Sequence, residues 1–203
     1  MKKFKKLKMA ALAFVSTVSL FTFQPPTETE AASFTHTVRS GDTLWKISNH
    51  YGVGLTTLRA ANNQTSNMIY VGQKLVIPQS TISAADKDLM ARLVSAEAKG
   101  EPYAGKVAVA TVILNRLDHP EFPNTVKEVI YQIDHGYYAF TPVQNGTINQ
   151  PADVESKRAV SEALAYRGQG NGSLYFYNPN TASSSWIYSR PVTVTIGNHR
   201  FAK

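Results

Sequence analysis

One run of residues, from Tyr103 to Leu117, constrains the fold more than any other part of this sequence. The run has the length of a helix, and apolar side chains occupy nearly every side of that helix. A helix that is apolar all round must be buried by other elements. The sequence therefore predicts a mainly helical domain that is built around this segment.

The preceding helix carries a glutamate where the pattern expects an apolar residue. Ser83 and Asp86 form a capping box that begins this helix. Leu89, Leu93 and Glu97 are spaced four apart, so they share one helix face. A carboxyl group held against apolar side chains loses hydration of its charged form, which raises its pKa toward that of a general acid near neutral pH. The pattern leaves one alternative open, a glutamate near the helix end whose side chain reaches solvent.

The rest of the larger domain contains shorter elements. The pattern predicts a helix from residue 124 or 125 to 131, an irregular stretch over 134–150, an amphipathic helix over 152–166, and strands over 173–177 and 191–201. We expect Tyr137 or Tyr138 in the core and Phe140 in a cleft. Asn115 and Arg116, at the end of the apolar helix, are interpreted as structural. The fold class is α+β.

A smaller module precedes this domain over residues 36–78, with a linker over 79–85 and the larger domain over 86–203. An extended segment at residues 36–39 is followed by Thr43, which is positioned to cap a helix that Gly52 stops. A second short helix contains Leu58, and a strand over 74–77 ends at Pro78. The predicted order is strand, helix, helix, strand.

This module resembles a LysM domain. The resemblance rests on V-x-x-G-D-T-L-W-x-I at 38–47, L-x-x-x-N at 58–62 and I-x-V-G-Q-x-L-x-I-P at 69–78. LysM domains bind glycans that contain N-acetylglucosamine, such as peptidoglycan. The resemblance implies a glycan groove lined by Gly41, Asp42, Thr43, Ile69 and Val71. Gly41 to Thr43 would also form a tight turn and a helix cap.

The N-terminus has the pattern of a secretory signal peptide over residues 1–31. Five lysines within the first eight residues precede an uncharged apolar run from Met9 to Phe23, and small residues follow at Ala31 and Ala32. The alternative is a membrane anchor, but Pro25 and Pro26 end the run short of about 20 residues. We therefore expect a secreted, cell-wall-associated protein without stable membrane insertion after cleavage.

Composition excludes several function classes. The sequence contains no cysteine, which excludes disulfides, thiolate metal sites and a cysteine nucleophile. His119, His135 and His199 lack the spacing of a metal site, so we expect no metal and no cofactor, and a zinc amidase is the weaker alternative. Loss of five lysines and two glutamates with the signal peptide lowers the net charge from +7 to +4. Without an Arg/Lys stripe, this charge favours an anionic wall polymer over nucleic acid.

The larger domain resembles the spore cortex-lytic cell-wall hydrolases of the SleB and CwlJ type. The matching segments begin with A-E-A-K-G-E-P-Y-A-G-K-V-A-V-A-x-V-I-L-N-R at 96–116 and include H-P-E-F-P-N-T at 119–125, A-F-T-P-V at 139–143, L-Y-F-Y-N-P at 174–179 and I-G-N-H-R-F at 196–201. The resemblance implies a lysozyme-like helical fold with a small sheet. It also implies a lytic transglycosylase that cleaves peptidoglycan between N-acetylmuramic acid and N-acetylglucosamine, with Glu97 as its catalytic acid.

Only Glu97 is singled out as an acid, and glycoside hydrolysis normally uses two carboxyl groups. We therefore expect transglycosylation, with a hydrolytic muramidase or a non-catalytic wall or spore-coat protein as alternatives. Glu101 is expected to cap the next helix, and it is also a candidate substrate contact. The further candidate glycan contacts are Phe140, Thr141, Tyr175, Tyr177 and Asn178. The sequence leaves open the choice between vegetative wall and spore cortex, and the oligomeric state.

Overall fold

The computed structural model describes residues 34–203. The predicted signal peptide, residues 1–31, lies outside the described residues. Strand β1 (Phe34–Thr37) and strand β2 (Lys74–Ile77) pair antiparallel around helices α1 (Leu44–Tyr51) and α2 (Leu55–Ala61). The predicted order of strand, helix, helix and strand is confirmed.

Local capping explains where helix α1 begins and ends. The Thr43 side chain accepts a hydrogen bond from the backbone N–H of Lys46. Gly52 ends the helix in the left-handed conformation, with a φ of 60°, which glycine adopts without a steric penalty. Both predictions, the Thr43 cap and the Gly52 stop, are confirmed. The core of this module consists of the buried side chains Val38, Leu44, Ile47, Val53, Leu58, Leu75 and Ile77.

The larger domain surrounds the apolar helix that the sequence predicts. This helix, α4, spans Tyr103–Leu117, and it packs against α3 (Ala84–Glu97) and α7 (Val154–Ala165). Its side chains Val109, Ala110 and Ile113 are fully buried. The prediction of a mainly helical α+β domain is confirmed. The smaller elements are α5 (Val126–Ile130), β3 (Ile133–Asp134), β4 (Tyr137–Tyr138), α6 (Thr141–Gln144), a 3-10 turn (Thr147–Asn149), β5 (Tyr175–Tyr177), α8 (Ser185–Tyr188), β6 (Val192–Ile196) and β7 (His199–Ala202).

The C-terminal segment folds into a three-stranded antiparallel sheet with the strand order β5, β7, β6. The segment 191–201, predicted as one strand, is a hairpin of β6 and β7 that turns at Gly197 and Asn198. Gly197 has a φ of 58°, and a side chain there would collide with Glu101 and Pro102. Helix α8 was not predicted from the sequence.

The prediction for the aromatic residues of segment 134–150 is wrong in one respect. Tyr137 and Tyr138 lie on the short hairpin of β3 and β4, and their side chains are exposed, Tyr137 by 78%. Phe140 is the buried residue of the three, with 2% exposure. The hairpin turns at His135 and Gly136, which both have positive φ angles. The chain thus runs along the surface over residues 133–138 and returns to the core at Phe140.

The segment that joins the two modules is held by the larger domain. The Ile82 side chain is buried in the core of that domain, and the Thr81 hydroxyl accepts a hydrogen bond from Arg167 Nη1. Ser83 caps helix α3 by accepting from the backbone N–H of Asp86, as the capping box predicts. Within residues 34–203, no helix has the length and the hydropathy that crossing a membrane requires.

Candidate active site

Glu97 is the last residue of helix α3, and it continues the row of side chains on the buried face of that helix. Leu89, Leu93 and Val94 are buried in the core, and Ala98 beyond Glu97 is fully buried as well. Glu97 itself is half-buried. The helix pattern therefore places this carboxyl group at the boundary between the core and an open space.

That open space consists of two cavities that share Glu97 and Thr141. The larger cavity has a volume of about 1060 Å³ and extends from Glu97 toward the C-terminal sheet. The smaller cavity has a volume of about 480 Å³ and lies between α3, α6 and the beginning of α7. Each cavity is large enough for at least one sugar ring. A glycan chain placed through both cavities would cross the carboxyl group of Glu97.

Burial raises the pKa of Glu97 to about 7. The backbone amide of Thr141, at the beginning of helix α6, and the charge of Arg116 act in the opposite direction and lower this pKa. Desolvation outweighs both, because the carboxyl group faces apolar core on one side. A carboxyl group with this pKa is substantially protonated near neutral pH, so it can donate a proton and later accept one.

Arg116 lies at the floor of the larger cavity, where the sequence analysis assigned it a structural role only. Its Nε donates to the backbone oxygen of Leu174 at 2.8 Å. Its guanidinium lies 4.9–5.5 Å from the centroids of three aromatic rings, those of Phe122, Phe140 and Tyr175. Burial lowers the pKa of Arg116 to about 10, and the charge of Glu97 opposes this shift. Arg116 thus provides a fixed positive charge beside the candidate acid.

The larger cavity has an aromatic wall on the side of the C-terminal sheet. The rings of Tyr175 and Trp186 meet edge to face with centroids 5.1 Å apart. Arg190 places its guanidinium 4.3 Å from the centroid of Trp186. Aromatic rings of this kind offer broad apolar faces with polar edges. Trp186 was not predicted from the sequence, because no motif or periodicity marks it.

Five of the six candidate glycan contacts line the larger cavity. These residues are Phe140, Thr141, Tyr175, Tyr177 and Asn178. These residues do not contribute equally to the exposed surface of the cavity, because Phe140 and Tyr177 are almost fully buried, with 2% and 8% exposure. The face of the Phe140 ring instead packs against the Arg116 guanidinium. Their roles as glycan contacts stay predictions.

Glu101 lies elsewhere, and its predicted capping role is wrong. The residue before helix α4 is Pro102, and no side chain caps that helix end. Glu101 accepts hydrogen bonds from the backbone N–H and the side-chain amide of Asn198, at 2.9 and 3.0 Å. Burial opposes the effect of these two bonds, which nevertheless hold the pKa of Glu101 below its usual value. Glu101 fastens the hairpin of β6 and β7, and it lines neither of the two cavities.

His199 is a second residue whose position the sequence analysis missed. It lies on β7, is buried, and lines the larger cavity between the rings of Phe176 and Phe201. Its Nδ1 atom is buried without a hydrogen-bond partner in the described part of the chain. Burial lowers the pKa of His199, and the charge of Glu101 opposes this shift. No group of three or more His, Asp or Glu side chains within residues 34–203 could hold a metal ion.

The predicted groove of the smaller module begins at a rigid turn. Asp42 accepts hydrogen bonds from the His36 side chain at 2.9 Å and from the backbone N–H of Arg39 at 2.8 Å. Gly41 has a φ of 85°, and its carbonyl accepts from Lys46. Across the module, Val71 is 72% exposed, whereas Ile69 packs against the core. Gly41 to Thr43 thus form a fixed turn, and Val71 offers an exposed apolar side chain. The glycan contacts of these residues stay predictions.

Comparison with known proteins identifies relatives of both modules. The Cell Wall Hydrolase family model matches residues 100–202, and the LysM domain model matches residues 36–78. The chain is 48% identical over 116 residues to a spore cortex-lytic enzyme of Halalkalibacterium halodurans, which covers 57% of this chain and 34% of that protein. It is 45% identical over 121 residues to a spore cortex-lytic enzyme of Bacillus cereus, which covers 60% of this chain and 45% of that protein.

A solved structure agrees with these matches. The catalytic domain of the germination-specific lytic transglycosylase SleB from Bacillus anthracis is 41% identical, with a TM-score of 0.55. The match covers 62% of this chain and 100% of that structure. The chain thus spans less than half the length of the two curated relatives, although it spans this entire solved domain. Glu97 lies just before residue 100, where the family match begins. The chain belongs to the cell wall hydrolase family, and it carries a LysM domain ahead of the hydrolase domain.

Proposed function

We propose that this protein cleaves the glycan strands of peptidoglycan as a lytic transglycosylase, with Glu97 as both general acid and general base. The observation that carries the proposal is the position of Glu97, half-buried with a pKa of about 7 where two cavities meet. Family membership and the lytic transglycosylase activity named for the related SleB domain support it. The LysM domain would bind the same polymer and raise its local concentration at the cavities.

The chemistry needs one group that first donates and then accepts a proton. Neutral Glu97 protonates the oxygen that bridges N-acetylmuramic acid and N-acetylglucosamine, and the bond from this oxygen to the muramic C1 breaks. The acetamide group of the muramic acid stabilises the positive charge that develops at C1. The C6 hydroxyl of the same sugar then attacks C1 and gives its proton to the Glu97 carboxylate. This step restores the neutral acid and leaves a 1,6-anhydro sugar.

The surroundings of Glu97 favour this reaction over hydrolysis. A hydrolytic mechanism needs a second carboxyl group as base or nucleophile, and three other carboxyl groups line the two cavities. Asp153 caps helix α7 and pairs with Lys106 at 3.3 Å. Asp134 is 73% exposed and pairs with His135, and Glu121 is exposed. None of the three is among the groups that shift the pKa of Glu97.

The pairing of a LysM domain with a cell wall hydrolase domain supports a place of action outside the cell. A LysM domain and a cell wall hydrolase domain both act on wall polymers, so we place the protein at the cell wall after secretion. The names of the curated relatives support the spore cortex as its substrate. The lysines of the N-terminal signal would then be absent from the working protein.

Mass analysis of digested peptidoglycan tests the activity. Purified sacculi are incubated with the full chain, and the muropeptides are weighed. Transglycosylation yields muramic ends that are one water lighter than hydrolytic ends. We expect Glu97→Gln to lower the rate by about a thousand-fold, because loss of a positioned acid and base removes 10²–10⁴-fold of catalysis. Glu128→Gln, an exposed glutamate on α5, is the matched control and should keep full activity.

Each remaining outcome rejects a defined part of the proposal. Products that have gained water would show a hydrolytic muramidase. Binding to sacculi without any fragments would show a non-catalytic wall protein. Full activity of Glu97→Gln would show that another residue is the acid. Parallel digestion of spore cortex and vegetative sacculi identifies the substrate wall.

A further inference from the structure

His199 is a buried polar residue of the larger cavity that the proposed cleavage reaction does not use. It lies on β7, the central strand of the C-terminal sheet, and lines the cavity although its exposure is 8%. Buried polar side chains normally have hydrogen-bond partners, but its Nδ1 atom has none within residues 34–203. This missing partner determines which ring nitrogen carries the proton, and therefore what the ring can bind.

The sheet and two aromatic rings hold the His199 imidazole in place. Strand β7 is paired on both sides. The imidazole centroid lies 5.3 Å from that of Phe176 and 6.3 Å from that of Phe201. Asn198, the preceding residue, is held by its two hydrogen bonds to Glu101. A side chain restricted in this way loses little conformational entropy when a ligand binds to it.

Nε2 is the ring nitrogen of His199 that faces the cavity. The two nitrogens occupy different positions, with Nδ1 next to the carbon that joins the ring to the chain and Nε2 at the far end of the ring. Nδ1 is enclosed by the protein, and Nε2 is not. Because the side chain lines the cavity, its accessible polar atom is Nε2.

Burial also determines the charge of His199 and the position of its proton. Burial lowers the pKa of His199, and the charge of Glu101 opposes this shift. The ring is therefore neutral near neutral pH and carries a single N–H group. A proton on Nδ1 would bury a donor without an acceptor, which costs free energy. A proton on Nε2 avoids this cost, so His199 presents a neutral N–H donor to the cavity.

The surroundings of this donor favour a carbonyl oxygen as its partner. A sugar hydroxyl that accepted from Nε2 would still need an acceptor for its own hydrogen, and the neighbouring rings of Phe176 and Phe201 contain no polar atom. A carboxylate would require a cation, and Arg116, the arginine of this cavity, is not among the charges that act on His199. A carbonyl oxygen needs neither, and a methyl group beside it would pack against the aromatic rings.

We propose that His199 donates a hydrogen bond from Nε2 to the carbonyl oxygen of an N-acetyl group of the glycan, and thereby makes cleavage specific for N-acetylated strands. The acetamide group combines a carbonyl oxygen with a methyl group, as the surroundings of His199 require. The inference rests on the proposed function, because a glycan must occupy the larger cavity. Both sugars of peptidoglycan carry this group, and the experiment distinguishes them.

Cleavage of strands that lack defined acetyl groups tests the proposal. The full chain is assayed on fully acetylated strands, on strands whose glucosamine is deacetylated, and on strands whose muramic acid is deacetylated. His199→Phe keeps an aromatic ring but has no donor. We expect it to lower kcat/KM about ten-fold on fully acetylated strands, and to have no effect on strands without the acetyl group that His199 contacts.

Two further variants separate the hydrogen bond from packing. His199→Gln keeps a neutral N–H donor at the end of its side chain, so it should retain more activity on acetylated strands than His199→Phe. His119→Phe is the matched control, because His119 lies outside both cavities, and it should leave the preference for acetylated strands unchanged. The strand on which His199→Phe equals the wild type identifies the sugar. Equal losses by His199→Phe on all three strands, or no loss on any, would overturn the proposal.

Histidine NMR gives a second measurement that depends neither on cleavage nor on the folding of His199→Phe. The full chain with Glu97→Gln is labelled with ¹⁵N-histidine, and the His199 signals are assigned as those that His199→Gln removes. We expect a neutral ring with its proton on Nε2, and an Nε2 signal that shifts with acetylated strands but not with strands that lack the contacted acetyl group. His36 and His50 report binding by the LysM domain separately.

The NMR outcomes distinguish this inference from the proposed function. A proton on Nδ1, or an Nε2 signal that stays unchanged at saturating glycan, would overturn the role of His199. A shift of this signal by acetylated strands that the wild type does not cleave would support the contact and reject the transglycosylase.

Discussion

The two cavities that meet at Glu97 differ in the side chains that line them. Eight aromatic residues line the larger cavity, and none lines the smaller one. The smaller cavity instead has hydroxyl and amide groups from residues such as Asn145 and Thr147, with the cations Arg92 and Lys99. Aromatic faces suit the apolar faces of sugar rings, whereas amides, hydroxyls and cations suit polar and charged substituents.

This difference indicates a direction for the bound glycan. A chain that crosses Glu97 would place one sugar against the aromatic wall and the next among polar groups. Glu97 borders both cavities. Burial desolvates its carboxyl group, and the backbone amide of Thr141 and the charge of Arg116 oppose this effect. The linings of the two cavities thus predict the orientation of the substrate, and burial raises the pKa of Glu97. Each of these two features can be tested separately.

The first test uses the effect of pH on stability. The pKa of Glu97 is about 7 in the folded chain and near 4.5 in an unfolded one. The contribution of the neutral Glu97 carboxyl group to the free energy of unfolding is therefore fully present below pH 4.5. It is lost as the pH rises to 7, because this group ionises more readily in the unfolded chain than in the folded chain. The loss amounts to about 3 kcal/mol. We expect Glu97→Gln to raise the free energy of unfolding by up to this amount at pH 8 and to leave it unchanged at pH 4.

Chemical denaturation at the two pH values measures this effect. Glu128→Gln, at an exposed position on α5, is the control and should show no pH-dependent gain. An equal gain by Glu97→Gln at pH 4 and pH 8 would contradict the explanation, because packing would then be its cause. No gain at either pH would show that the carboxyl group is well hydrated in the folded chain.

The second test removes the positive charge of Arg116, which lines the larger cavity with its aromatic wall. We expect Arg116→Met to lower kcat/KM by about a hundred-fold, equivalent to about 2.7 kcal/mol, because the cation stabilises the Glu97 carboxylate formed after proton transfer. The pKa of Glu97 should rise further in this variant, since Arg116 lowers it in the wild type. The alkaline limb of the pH–rate profile should then shift to higher pH.

Arg116→Lys is the matched variant for this test. Lysine keeps the charge but lacks the planar donor group that reaches the backbone oxygen of Leu174. We expect its pH profile to match the wild type while its rate falls by a smaller factor. If the Met and Lys variants lose activity equally and neither profile shifts, the role of Arg116 is to shape the cavity floor. Circular dichroism verifies that both variants fold.

Periodicity along the sequence predicts the parts of the fold that depend on local spacing. The apolar helix at 103–117, the Thr43 cap and the position of Glu97 at the end of an apolar helix face all follow from neighbours within a few residues. The β6–β7 hairpin was missed although Gly197 and Asn198 form a two-residue turn signal at which the alternation of Val192, Val194 and Ile196 stops. The contact that holds this turn, a hydrogen bond from the Asn198 backbone N–H to Glu101, joins residues far apart in sequence, so local spacing does not show it.

The site was predicted less completely than the fold for the same physical reason. Arg116 has the sequence pattern of an ordinary helix-end residue, and only the fold brings Phe122, Phe140 and Tyr175 around it. His199 likewise gains its buried position from pairing of β7 between two other strands. A buried charge and an isolated histidine are therefore signals that become visible only when segments distant in sequence are in contact.

The third test compares the two cavities directly. Tyr175→Ala removes a ring from the aromatic wall, and we expect KM for glycan strands to rise about ten-fold, or about 1.4 kcal/mol, with a smaller change in kcat. Thr147→Val removes one hydroxyl from the smaller cavity, and we expect KM to rise only about two-fold because water can replace a single exposed hydrogen bond. Tyr175→Phe keeps the ring and should resemble the wild type. Steady-state kinetics on purified glycan strands measures all three. If Thr147→Val raises KM as much as Tyr175→Ala does, both cavities bind sugar equally tightly, and the aromatic wall does not determine the direction of the chain.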